Sequence, residues 1–115
     1  MTVNTPKIFD QAKPPASGTG GGPETALTLY TVPVGRQAQV TMFICNQMNE
    51  LDTFRVAIVK SADALTTARY IAWDTPIVAN GVFSLSGIGL NSGESIRVRS
   101  QYGFLSFTAT GIELS

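Results

Sequence analysis

Histidine is absent from this sequence. Its absence removes Ser-His-Asp and Cys-His catalysis, His-x-x-x-His zinc sites and the commonest general base at neutral pH. Cysteine occurs once, as Cys45, so neither an internal disulfide framework nor a cysteine zinc site can form. Cys45 ends the apolar run Val40-Thr41-Met42-Phe43-Ile44-Cys45 and reads as a small buried hydrophobe. Charge is scarce, at 14% of residues against roughly 25% in an average soluble domain. Eight Lys and Arg balance eight Asp and Glu. A neutral chain lacks the basic surplus that phosphate neutralisation needs, so nucleic acid is not an expected partner. No stretch approaches the roughly 18 apolar residues of a membrane span. The opening Met1-Thr2-Val3-Asn4-Thr5-Pro6-Lys7 has no apolar h-region, so no secretory signal is read and synthesis in the cytoplasm is expected.

What is present is a chain of one domain's length, 115 residues, with 43% hydrophobic residues, enough for a core. A small, neutral, weakly charged domain has little to keep it apart from its neighbours. This composition suits a protein that sits in an assembly.

The composition changes near residue 24. Residues 1–23 hold four of the six prolines and four of the eleven glycines. Pro15-Ala16-Ser17-Gly18-Thr19-Gly20-Gly21-Gly22-Pro23 suits neither a helix nor an inner strand, because proline removes ladder donors and glycine has more entropy to lose. Residues 1–23 therefore read as a flexible N-terminal arm and 24–115 as the folded domain. The adjacent apolar pair Ile8 and Phe9 would be buried if the arm docked on its own domain or on a neighbour. The glycine run follows no strand, precedes no helix and lacks a Gly-Lys-Ser/Thr, so it is not a phosphate loop.

From Thr25 onward the apolar period is 2. Leu27, Leu29 and Thr31 share a face in the first run. In the second, Gln37 to Cys45, Ala38, Val40, Met42 and Ile44 share one. Thr53 to Lys60 places Phe54, Val56 and Ile58 inward and Arg55 outward. Arg69 to Asp74 follows, then a short edge segment from Ile77 and the Asn80-Gly81 turn. Val82 to Ser86 carries Phe83 and Leu85 on one side. Ser95 to Ser100 has Ile96 and Val98 inward, with Arg97 and Arg99 outward. In Phe104 to Leu114, Leu105, Phe107 and Ala109 face inward. Ile112 and Leu114 break that parity, so a bulge is expected at Gly111. Seven or eight short strands at roughly ten-residue spacing predict an all-β, antiparallel β-sandwich, jelly-roll-like or of a related two-sheet topology; a small closed barrel shows the same alternation.

Nothing in the chain assembles a catalytic, cofactor or metal site. Asp52, Asp63, Asp74, Glu94 and Glu113 are scattered and read as solvated rim and turn charges, and no Asp-x-Asp-x-Asp run makes a calcium loop. The residues suited to an interface are Ile8 and Phe9 on the arm, Tyr70, Trp73 and Tyr102 as aromatic anchors, and Arg97 and Arg99 for charge pairing across a contact.

The run Leu29-Tyr30-Thr31-Val32-Pro33-Val34-Gly35-Arg36-Gln37-Ala38 resembles the opening of small virion proteins of tailed phages. Val40-Thr41-Met42-Phe43-Ile44-Cys45-Asn46-Gln47, Thr53-Phe54-Arg55-Val56-Ala57-Ile58, Tyr70-Ile71-Ala72-Trp73-Asp74-Thr75-Pro76-Ile77, Leu90 to Val98 and Leu105 to Thr108 are similar to later strands of the same proteins. Lys7-Ile8-Phe9-Asp10-Gln11 resembles their lead segment, and the glycine-rich stretch 17–22 departs from them. The resemblance marks turn and core positions and no catalytic set. It implies a structural component located in the virion, with the major capsid protein or tail proteins as partners. The expectation that follows is a capsid decoration (cement) protein bound to the outer shell as a homo-oligomer, a trimer, with Ile8 and Phe9 against another subunit. A tail or baseplate protein, and a carbohydrate-binding module using Tyr70, Trp73 and Tyr102, are the alternatives.

Overall fold

The computed structural model describes residues 6–16, 26–60 and 63–114. Eight strands run β1 (Pro6–Ala12), β2 (Leu27–Thr31), β3 (Gln37–Asn46), β4 (Asp52–Val59), β5 (Tyr70–Ile77), β6 (Val82–Leu90), β7 (Ser95–Ser100) and β8 (Leu105–Leu114), with one 3-10 turn at Thr67–Arg69 before β5. One sheet has the order β1-β8-β3-β6 and the other β2-β7-β4-β5. The pairings nest: β1 with β8, β2 with β7, β3 with β6 and β4 with β5, all antiparallel. Two further antiparallel ladders, β3 with β8 and β4 with β7, join these pairs into the two sheets.

The inner faces share one core. Phe54, Val56, Ile96, Val98, Leu105 and Phe107 are fully buried, and Ile58 is half-buried against them. The Phe54 ring meets Phe83 at 5.2 Å and Phe107 at 6.4 Å between centroids, the tilted and edge-on arrangements that aromatic quadrupoles favour. The inward alternation of β3 and β7 is as the sequence suggests. Cys45, in contrast, is half-buried on the outer face of β3 opposite Val82, since its neighbour Ile44 takes the inward position.

The N-terminal segment is not an extended arm over Pro6–Ala12, which forms the edge strand β1 on β8. A register shift between Ile8 and Asp10 turns Phe9 toward the body, where its ring stacks on Tyr30 at 4.6 Å. Ile8 stays 60% exposed. Beyond β1, Pro14 is buried and Ala16 bridges Ser100, so the chain crosses to the second sheet. The change of composition at residue 24 therefore does not separate a free arm from the sandwich: a strand of the sandwich precedes it. The glycine-rich stretch 17–22 lies outside the described residues.

Three irregularities differ from simple alternation. A register shift at Leu29 in β2 sends Leu29 and Tyr30 both into the core and leaves Leu27 and Thr31 exposed. The segments expected as separate strands around Asp74 and Ile77 are one strand, β5, which carries Pro76 because it is a sheet edge. No bulge interrupts the β3–β8 ladder at Gly111: the two strands pair residue for residue from Gln37↔Leu114 to Asn46↔Leu105. The inward parity of β8 continues to Glu113, which is buried. Ile112 and Leu114 broke the apolar pattern because an acid occupies the inward position between them.

Glu113 closes one end of the core. Its carboxylate accepts a hydrogen bond from the Tyr30 hydroxyl at 2.5 Å and an ion pair from Lys7 Nζ at 2.8 Å, with Arg36 at 3.7 Å. The Lys7 hydrogen bond, and then that of Tyr30, hold the Glu113 carboxyl below the usual carboxylate range. Burial, reinforced by the carboxylate, pushes the Tyr30 phenol up. A carboxyl with a depressed folded pKa contributes stability that is present above its unfolded pKa, about 4.3 for glutamate, and is lost as pH falls through the lower folded value. Glu113→Gln is therefore expected to melt lower than wild type at neutral pH, by about 1.5 kcal/mol for the charge-assisted bonds. The gap should narrow as pH drops below the glutamate range. Thermal melts of both proteins across acid pH measure it, and a gap independent of pH would refute the linkage.

Candidate interaction surface

The outer face of the second sheet gathers most of the residues suited to an interface. In β4 and β7, Arg55 and Arg99 are directly opposite, as are Ala57 and Arg97. On the other side of β4 the ladder with β5 slips twice, so Phe54 pairs with Thr75, Val56 with Ala72 and Ala57 with Tyr70. The first slip sets both Trp73 and Asp74 against Arg55. A bulge re-aims side chains in this way, and here it delivers a ring and a carboxylate to one guanidinium. Asp74 takes a φ of +47°, a left-handed conformation that aspartate tolerates better than most residues.

The contacts are tight. Arg55 donates to Asp74 Oδ1 from Nε at 2.6 Å and to Oδ2 from Nη2 at 3.0 Å. Its guanidinium carbon lies 3.6 Å from the Trp73 ring centroid, and Tyr70 meets Trp73 edge-on at 4.8 Å. Arg55 itself is 4% exposed, whereas Trp73 is 45% exposed. The Arg55 hydrogen bonds hold the Asp74 carboxyl below the usual range, and burial, then the charge of Arg55, lowers the guanidinium pKa of Arg99. Like charges opposite one another in a ladder are unfavourable; Asp74 offsets this pair. The result is a half-exposed indole stacked on a buried guanidinium, with the exposed carboxylate of Asp74 fixed beside it.

Of the expected interface residues, Tyr70, Trp73 and Arg99 meet here. Arg97 lies beside them, half-buried, and donates from Nε to Ser95 Oγ at 3.2 Å. Ile8 and Phe9 belong to the other sheet. Tyr102 sits in the β7–β8 loop, half exposed, with its ring 5.7 Å from that of Phe104. Arg55, expected outward, is on this face but buried, and Asp74, expected as a solvated charge, pairs with it. The bulge that brings Asp74 to Arg55 has no mark in the sequence.

The other end of the sandwich is tied by two buried polar side chains. Asp52, expected as a rim charge, is fully buried and accepts from the Ser100 hydroxyl at 2.7 Å and from the amides of Thr53, Tyr102 and Phe104. Asn46 ties the β3–β4 loop to the β5–β6 turn by donating to the carbonyls of Glu50, Ile77 and Val78. These networks leave Met48, Leu51, Val78 and Val82 exposed.

A cleft of about 400 Å³ is lined by Pro14, Pro15, Ala16, Ala26, Leu27, Val98 and Arg99. Among the described residues no three metal-ligating side chains converge. No protein-family model, curated protein or solved structure matches this chain.

Proposed function

We propose that this chain is a structural component of a tailed-phage virion, a decoration protein on the outer surface of the capsid. In this reading it docks through the outer face of its second sheet. The observation that carries it is the Arg55–Trp73–Asp74–Tyr70 arrangement. A half-exposed tryptophan and a half-buried tyrosine, held in fixed geometry on a buried arginine, have the residue types of an interface hot spot, and preorganisation reduces what docking must order.

The fold supports the same reading by analogy. We read the nested pairs on two sheets as a jelly-roll-like arrangement, of the kind that viral capsid and lectin domains use. The residue resemblance to small phage virion proteins falls on the strands and turns of this arrangement. A sugar-binding use of Trp73 is less well supported, since one ring face is covered by Arg55 and Tyr70 abuts the ring edge-on.

Trp73→Ala should fold as wild type, because the ring is only partly covered, yet bind particles about thirtyfold more weakly, as a hot spot of about 2 kcal/mol does. Cryo-electron microscopy of virions carrying each protein measures occupancy. Density at the tail would favour the tail protein over decoration. Unchanged occupancy with Trp73→Ala would remove this face as the docking surface.

A further inference from the structure

We infer that the edge of β6 is a self-association surface: two copies join β6 to β6, antiparallel across a two-fold axis, into one continuous eight-stranded sheet. The two sheets have four edges, β1, β6, β2 and β5. Open edges invite pairing with other chains, and proteins block them with proline, charge, bulges or brevity. β1 carries Pro6, Lys7, Asp10 and a register shift. β2 has five residues and a register shift. β5 carries Pro76, two register shifts and Asp74 at positive φ.

β6 is different. Val82-Phe83-Ser84-Leu85-Ser86-Gly87-Ile88-Gly89-Leu90 contains no charge and no proline. Its one register shift lies between Leu85 and Ile88, with Gly87 at a φ of +76°. Among the described residues, Val82 to Leu85 is left as a regular stretch paired with β3 on one side only.

Among the described residues nothing fully covers the side chains along this stretch. Phe83 and Leu85 pack against the core yet remain half-buried, so the core has an open margin here. On the outer face Val82 is 68% exposed and Phe43, on the adjoining strand, 45% exposed.

The occupant follows from the other edges. A second copy offers four edges, and three of them are blocked by the devices above. The one edge of that copy free to meet β6 is its own β6, and such a contact is isologous and closes at two. An axis through Ser84, perpendicular to the sheet, keeps inner face on inner face. It sets Phe83 opposite Leu85 of the second copy and Val82 opposite Ser86. The half-buried pair is then covered, and strand addition supplies main-chain hydrogen bonds. The absence of charge on β6 means that identical edges do not repel. This association takes the place of the trimer expected from the phage resemblance. It does not rest on docking through Trp73, which lies on the other sheet.

Sedimentation of the free protein over a range of concentrations tests it. Wild type should move from monomer to twice the monomer mass. Ser84→Lys and Ser84→Asp place like charges together at the axis and should each lose the dimer, with melting curves confirming that they fold. An equimolar mixture of the two should recover the dimer, because opposite charges then meet. Amides of Val82 to Leu85 in wild type should exchange more slowly with solvent as concentration rises. A monomer at every concentration, a trimer, dimeric single variants, or a mixture that stays monomeric would each overturn the proposal.

Discussion

Phe107→Ala is expected to cost about 3–5 kcal/mol of unfolding free energy, the range for emptying a buried aromatic site. Phe107 is fully buried and sits on β8, paired with Ile44 of β3 and Ala12 of β1. Its ring meets Phe54 edge-on from the opposite sheet. Removing it therefore opens a void between two hydrogen-bonded layers that cannot easily collapse. Denaturant unfolding of the variant measures the loss. A midpoint equal to that of wild type would show that the ring is not in the core.

Gly111→Ala is expected to be comparably severe, for a different reason. Gly111 lies inside β8, flanked by Lys7 of β1 and Val40 of β3. Its φ is +151°, and an added Cβ would lie 1.9 Å from the Gln39 carbonyl oxygen. That oxygen belongs to a central strand, so it cannot turn aside as a flexible side chain would. Backbone strain of about 1–3 kcal/mol and overpacking of about 1–3 kcal/mol act together. Gly87→Ala is the contrast: its φ is also positive, but nothing lies within 4 Å of the added atom, so strain alone applies. If the Gly111 and Gly87 variants melt at the same temperature, the close approach of Gln39 is not the cause.

These two positions show what the sequence discloses and what it conceals. Alternation located the strands from Leu27 onward and the inward residues of β3, β7 and most of β8. It works because a two-sheet core gives each strand one wet face and one dry face. It failed where a polar group is inside. Glu113 and Asp52 look like surface charges by type, yet one closes the core through Tyr30 and Lys7 and the other accepts four hydrogen bonds. Their partners are remote in the chain, so no local pattern announces them. β1 was concealed by its proline and glycine neighbours, although Ile8 and Phe9 flagged a need for burial. Phe9 meets it on Tyr30 and Ile8 does not. In the candidate surface, Tyr70, Trp73 and Arg99 were legible as residue types. Their meeting depends on a bulge in β5 that alternation cannot express.

The nesting of the strand pairs sets an order in time. The innermost pair, β4 with β5, is joined by a short stretch of chain, whereas the outermost pair, β1 with β8, joins Pro6 to Ile112. Loop closure costs more for distant partners, and folds dominated by distant contacts form slowly. The inner hairpin can close early and each surrounding pair then closes over a gap already shortened by the one inside it. By the same argument the β1–β8 ladder is expected last, carrying Phe9 onto Tyr30 and Lys7 onto Glu113 as it seats. On a ribosome β1 emerges first and waits for the final strand. During that interval β8 and β3 have yet to join, and their apolar inner faces are open to other nascent chains. Crowded synthesis is when this small domain is most exposed to aggregation.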